Sequence, residues 1–342
     1  MKPSNENFRV NVNKVQQGNR TVLSDIGNHV FHGKIDRKIE IKKKTAATRE
    51  SEVLTTIFRN NKYLPAYVVD IDALDYNDPL LCSDYISDIY KNMLKQEKRC
   101  TLDPDYMTGQ PVITKGMRAI LLDWLVDVHL RYNFHPESLY LTTYIIDRYL
   151  QTTQVNRKKL QLVGIAAFYI AIKYEEIFLA STDDLLYLTE NSYEINEFIQ
   201  MEAKILKALD FSLSRPTSIH FLRRISKAAS ADIEQHTFAR YLTEIALIEY
   251  SLLSYLPSQI AAAASLISLK IFDKSWTPTL QYYSSYSEDS LKPVARQIAK
   301  LAWKSWTSKY QAIHRKFGNR KVLKRDLPRL MRALNSLVSS DW

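Results

Sequence analysis

Residues 117–127, MRAILLDWLVD, constrain the chain more than any other stretch. At 100° per residue they make a helix with two apolar stripes, Met117/Ile120/Leu121/Trp124 and Leu122/Leu125/Val126. A surface helix reaches its core with one stripe, so the second must meet another part of the protein or a partner. Arg118 lies between the stripes, with Leu121, Leu122 and Leu125 as its i+3, i+4 and i+7 neighbours. A guanidinium there keeps its charge, and burial would demand a fixed carboxylate.

The rest of the chain can supply the surroundings such a helix needs. It has 342 residues, 46% of them hydrophobic, with 21 Tyr and 5 Trp, enough for two domains and a tail. Only 7 Gly occur, which argues against sheets joined by tight turns and for an all-α fold. Cys82 and Cys100 form no CxxC, so a reducing compartment is expected. No signal peptide opens the sequence and no apolar run is long enough to span a bilayer, so no membrane association is expected. The net charge of +10 is spread along the chain; it permits an anionic partner without designating one, and nucleic acid is not expected.

Residues 1–75 are rich in Asn, Lys, Arg and Thr and read as a disordered tail. Order is expected from Asp78-Pro79, a helix-starting pair, followed by Ile86, Ile89, Tyr90, Met93 and Leu94 at helical spacing. Helices are expected at 115–131, from Pro136 to about 150, and at 158–176, 182–188 and 194–209. After the break at Ser214-Arg215-Pro216-Thr217 a second run follows, at 217–229, 233–254, 257–272, 277–284 and 288–308, with one further helix near 326–338. The runs look like copies: VGIAAFYIAIK (163–173) and IAAAASLISLK (260–270) carry small residues at matching places. Such helices let neighbours approach closely and belong at the centre of a bundle. The pattern predicts two tandem five-helix units, preceded by an amino-terminal helix.

Four charges stand where the periodicity predicts burial. Arg118 is one. Asp147 follows Tyr140, Thr143 and Tyr144 on its own face, Lys173 follows Ala166, Tyr169 and Ile170, and Glu202 shares a stripe with Phe198, Ile199, Ile205 and Leu206. Internal ion pairs locking helices together would explain them. So would a partner interface, where truncation leaves a buried charge unpaired.

The segments MRAILLDWL, LYLTTYIIDRYL, LQLVGIAAFYIAIKYEE, QMEAKILKALDF, RPTSIHFLRRISK, EQHTFARYL and WTPTLQYYSSYS resemble the cyclins, specifically the B-type (G2/mitotic) group, over about residues 80–305. The resemblance implies two cyclin boxes, with the first and its amino-terminal helix in 78–215 and the second, with a carboxy-terminal extension, in 216–342. It implies a non-catalytic regulatory subunit that binds and activates a cyclin-dependent Ser/Thr kinase at the G2/M transition, in nucleus and cytoplasm. By the same resemblance Arg118 pairs with Asp147 as a structural ion pair, whereas Lys173 and Glu202 reach the kinase. Ile170, Tyr174, Leu206, Phe211 and Leu213 match apolar kinase contacts, and Asp84, Tyr85 and Ile89 match contacts on the amino-terminal helix. Asn92 stands where the family usually has an aromatic.

The stripe Met117, Ile120, Leu121 and Trp124, completed by Asp127, Leu160 and Gln161, matches the cyclin patch that docks substrates through Arg-x-Leu motifs. Helical spacing alone favours a second core face; the resemblance reverses that reading. Asp127 stands where the family usually has Glu. In the tail, Arg20, Leu23, Ile26 and Asn28 form RxxLxxIxN, which resembles a destruction box read by the mitotic ubiquitin ligase. Lys34, Lys38, Lys42, Lys43 and Lys44 follow as candidate ubiquitin acceptors or an import patch. His236 and Arg240 lie i, i+4 on one helix face, and Arg223 and Arg224 end the preceding helix. Arg223, His236 and Arg240 match a phosphate pocket of some B-type cyclins, while ordinary surface charge would also account for them.

No GxxxxGK, GxGxxG or HExxH occurs, and the seven histidines show no ligand spacing with Cys or Asp. No active site, metal or cofactor is expected. A double cyclin-box adaptor in transcription and a helical scaffold without a kinase are the alternative readings.

Overall fold

A computed structural model describes residues 64–318, 323 and 326–339. The motif at Arg20–Asn28 and the lysines at 34–44 lie outside them. The described residues belong to one compact unit, Thr56–Trp342. Thirteen α-helices and no strands occur among them.

Helix α1 is Ile86–Arg99. The first run comprises α2 (Lys115–Tyr132), α3 (Pro136–Thr152), α4 (Leu160–Glu175), α5 (Thr182–Tyr187) and α6 (Ile195–Ala208). The second comprises α7 (Ser218–Ala228), α8 (Ile233–Ile248), α9 (Pro257–Ile271), α10 (Pro278–Ser284) and α11 (Glu288–Ser305). Helices α12 (Ala312–Gly318) and α13 (Leu327–Ser339) follow.

Local chemistry places the ends. The Thr114 hydroxyl accepts the Met117 amide of α2 at 3.2 Å, and Asn133 closes the helix in the left-handed region. Prolines stand in the first turns of α3, α9 and α10, where the missing N–H costs nothing.

Each run wraps a small-residue helix. In the first, α4 packs against α2, α3 and α6; in the second, α9 packs against α7, α8 and α11. Ala166, Ala167 and Ala171 are buried on α4, and Ala261–Ala264 on α9. At Gly164 the approach is closest: a Cβ would lie 2.6 Å from Leu121 Cδ1 on α2, so a larger residue would displace that leucine.

Two boundaries differ from the sequence reading. The helix expected over 233–254 stops at Ile248 and gives way to a 3₁₀ turn at Tyr250–Leu252. The freed carbonyls of Ile248 and Leu247 accept hydrogen bonds from Arg118, at 2.9 and 3.1 Å. Order also begins upstream of 78. Val68 is buried, and the Val69 amide donates to Thr279 Oγ1 at 3.1 Å. Asp72 accepts a bidentate pair from Arg224 at 2.5 Å, with Lys227 adding a third bond at 2.9 Å. Burial alone would raise the Asp72 carboxyl; the bonds from Arg224 and Lys227 outweigh it and hold it below its usual range. Val68, the Val69 amide and Asp72 hold this mostly apolar segment, LPAYVVDIDALDYN over 64–77, to the second run.

Candidate functional site

The Lys173–Glu202 pair bridges the carboxy-terminal end of α4 and the middle of α6. Lys173 Nζ donates to Glu202 Oε1 and lies 4.5 Å from the Tyr169 ring centre. The burial expected for Lys173 is not found. It is exposed, and Glu202 is only partly covered. The stripe holding Glu202 divides: Phe198 and Ile205 enter the core, while Ile199, between them in sequence, faces solvent. Partial desolvation lowers the Lys173 pKa.

Large apolar side chains that nothing covers lie on the same elements. Tyr174 and Ile199 are exposed, and so is Phe211, at 66%. The sequence reading missed three neighbours in the loop after α4: Ile177 at 89%, Phe178 at 84%, and Leu179. Their signal was an apolar run with no helical period to bury it. Leu206 and Leu213 are half-buried. Ile170 corrects the expectation: at 2% exposure it is a core residue, and it supports the surface from below. Phe211 has φ 53°, directly after Asp210 at φ 50°. An aromatic in the left-handed region is strained, and this one is also left exposed.

In the same KYEE segment, Glu176 turns inward. Its Oε1 accepts the His135 amide at 2.7 Å and the Ser138 hydroxyl at 2.5 Å, anchoring the start of α3. Asp84 and Tyr85, in the turn that leads into α1, and Ile89 and Asn92 on α1 itself are exposed. That helix is fixed to the second run, because the Tyr90 hydroxyl donates to the His220 carbonyl at 3.1 Å and Glu97 accepts from Ser258.

The stripe on α2 is divided by depth. Ile120 is 53% exposed, Met117 and Trp124 are half-buried, and Leu121 is buried against Gly164. Leu160 is buried and Gln161 partly so. The two readings of the stripe therefore divide among its residues: Leu121 and Leu160 are core, and Met117, Ile120 and Trp124 are surface. Asp127 is not free. Arg315 of α12 donates to its Oδ2 at 2.5 Å, and one turn earlier Asp123 accepts the Ala312 amide at 3.0 Å.

The basic cluster is engaged within the chain. Arg223 pairs with Glu137, His236 Nδ1 shares a hydrogen bond with Ser226 Oγ at 2.8 Å, and Arg240 Nε donates to Glu244 at 3.0 Å. Burial first, then the positive charges of Arg240 and Arg223, lower the His236 pKa. Arg224 turns away to Asp72 and is no part of the cluster.

Arg118 is wholly buried. Its Nε and Nη2 donate to Asp147 Oδ1 and Oδ2 at 2.6 and 2.7 Å, and the Tyr106 hydroxyl adds a bond to Oδ1 at 2.8 Å. Among the described residues no cluster of three His, Cys, Asp or Glu side chains is arranged to hold a metal ion, and no helix is long and apolar enough to cross a membrane.

The cyclin N-terminal domain matches residues 88–214, and the cyclin C-terminal domain matches 216–329. The chain belongs to the cyclin family. This cyclin is 46% identical over 258 residues to the G2/mitotic-specific cyclin-B of Hydra viridissima, covering 75% of this chain and 66% of that one. It is 45% identical over 275 residues to the G2/mitotic-specific cyclin-B of Marthasterias glacialis, covering 80% and 71%. With the G2/mitotic-specific cyclin-B2 of Bos taurus the figures are 43% over 277 residues, 80% and 69%. This cyclin thus spans about two-thirds of the length of those relatives. A viral cyclin from herpesvirus saimiri shares the fold, with a TM-score of 0.55 and 24% identity over 62% of this chain and 96% of that one.

Proposed function

We propose that this cyclin is a non-catalytic regulatory subunit that binds and allosterically activates a cyclin-dependent kinase at the G2/M transition, in nucleus and cytoplasm. The observation that carries the reading is the Lys173–Glu202 pair, set among exposed apolar side chains from α4, α6 and the loops that follow them. Such a surface is costly to leave in water and is stabilised by a partner that covers it. The names of its relatives, G2/mitotic-specific cyclin-B and B2, point to the same role.

The mechanism is a population shift. In an inactive kinase the αC helix is displaced and the Lys–Glu pair that positions ATP phosphates is broken. A cyclin surface that contacts only the inward αC lowers the free energy of that state alone. Here the apolar side chains supply the covered area. Lys173 and Glu202 hold each other in place before the partner arrives, ready to accept and donate hydrogen bonds at its helix end.

Met117, Ile120, Trp124 and Asp127 are proposed to dock Arg-x-Leu substrates, and Arg20, Leu23, Ile26 and Asn28 to direct ubiquitin-dependent removal by the mitotic ligase. Capture on the immobilised full chain from a mitotic extract tests the reading. Recovery of a cyclin-dependent kinase supports it, and extract that yields none contradicts it.

A further inference from the structure

A cavity of about 150 Å³ lies between the two helical runs, bordered by α3, the 209–217 connection and the α8–α9 segment. Its walls are mostly apolar and include Tyr144, Leu253, Leu256 and Ile260. Arg215 enters it from the connection. The guanidinium sits over the Tyr144 ring, 3.7 Å from its centre. Its Nε is sealed from solvent and has no hydrogen-bond partner, although part of the side chain stays open.

Every other deeply placed arginine here holds a carboxylate: Arg118 has Asp147, Arg224 has Asp72, and Arg240 has Glu244. Arg215 has none among the described residues. The two acids that border the cavity are already committed. Asp147 gives both oxygens to Arg118. Glu97 gives one oxygen to the Ser258 amide at 3.0 Å and the other to the Ser258 hydroxyl at 2.7 Å. Burial depresses the Arg215 pKa; Tyr144, Cys100, Asp147 and Glu97 oppose it from a distance without outweighing it.

We infer that this cavity is a binding site for a small organic carboxylate with an aromatic or branched aliphatic body. A planar guanidinium offers two parallel donors, which match a carboxylate and would give Arg215 the directly bonded acid that the other deeply placed arginines have. A space of roughly 150 Å³ admits a benzene-sized body. The apolar walls favour such a body over inorganic phosphate, whose whole surface is polar.

The test is calorimetric titration of the full chain with benzoate, alongside benzyl alcohol and inorganic phosphate. Benzoate is expected to bind one to one and to raise the melting temperature, as a ligand specific to the folded state must. Benzyl alcohol, which lacks the charge, is expected to bind at least about tenfold more weakly. Arg215→Met removes the cation and should abolish benzoate binding; Arg215→Lys keeps the charge without the fork and should weaken it. Should either variant fail to fold, Leu256→Trp fills the space from another wall and should abolish the benzoate heat. No benzoate binding to the wild type overturns the assignment. So does benzoate binding that survives Arg215→Met or Leu256→Trp, and so does phosphate binding as tight as benzoate.

Discussion

Arg118 on α2 holds both carboxylate oxygens of Asp147 on α3, and the same guanidinium donates to two carbonyls where α8 ends. One buried side chain therefore joins the two runs as well as two helices of the first. Arg118→Ala would leave Asp147 buried and unpaired and two carbonyls without donors. The expected loss is about 3–5 kcal/mol, seen in thermal unfolding as a fall of roughly 10 °C. An unchanged melting temperature would show that the pair contributes nothing.

Acid should destabilise the fold through His129. Its Nε2 lies 2.7 Å from the His135 carbonyl, and its Nδ1 is buried without a partner. Burial first, then Lys316, pushes its pKa down to about 4 from 6.5. Arg240 also faces it with positive charge, and Glu244 opposes them. Between those two values the unfolded chain binds the proton and the folded chain does not. Stability is thus full above pH 6.5 and is lost as pH falls towards 4, by about 3 kcal/mol. His129→Gln should flatten this part of a denaturant-midpoint profile measured from pH 7 to 4; an unaltered slope would assign it to other groups.

The pairing of Arg315 with Asp127 bears on docking. An incoming substrate arginine must displace the chain's own arginine from this exposed carboxylate. Arg315→Ala should tighten binding of an Arg-x-Leu peptide about two- to fivefold, the worth of one exposed pair. Met117→Ala with Trp124→Ala should weaken it without unfolding the chain, since neither residue is fully buried. Peptide fluorescence anisotropy reads both. Weaker binding by Arg315→Ala would mean that the arginine belongs to the site.

Arg20→Ala with Leu23→Ala should lengthen protein half-life through mitotic exit in synchronised extract and leave kinase activation intact. Decay at the wild-type rate would assign removal to another signal.

The helical architecture was legible because it rests on local patterns. The small residues of α4 and α9, Pro136 and the polarity break at Ser214–Thr217 all act within a few residues of themselves. What sequence did not disclose depends on partners far along the chain. Asp72 becomes ordered because Arg224 lies 152 positions away. Helix α8 ends early because Arg118, 130 positions back, takes its carbonyl. Periodicity told that Lys173 and Ile170 share an apolar face, but not that α4 ends there, leaving the lysine outside and the isoleucine within. The arginine on Asp127 was equally invisible, since α12 returns to α2 from 188 positions away.

Activation of a monomeric cyclin-dependent kinase by the purified chain tests the central claim most directly. The wild type should raise histone phosphorylation strongly. Lys173→Ala with Glu202→Ala should abolish most of that rise while its melting temperature stays within a few degrees, because the pair is partly solvated and contributes on the order of 1 kcal/mol to the fold. Undiminished activation by a folded double variant would contradict it.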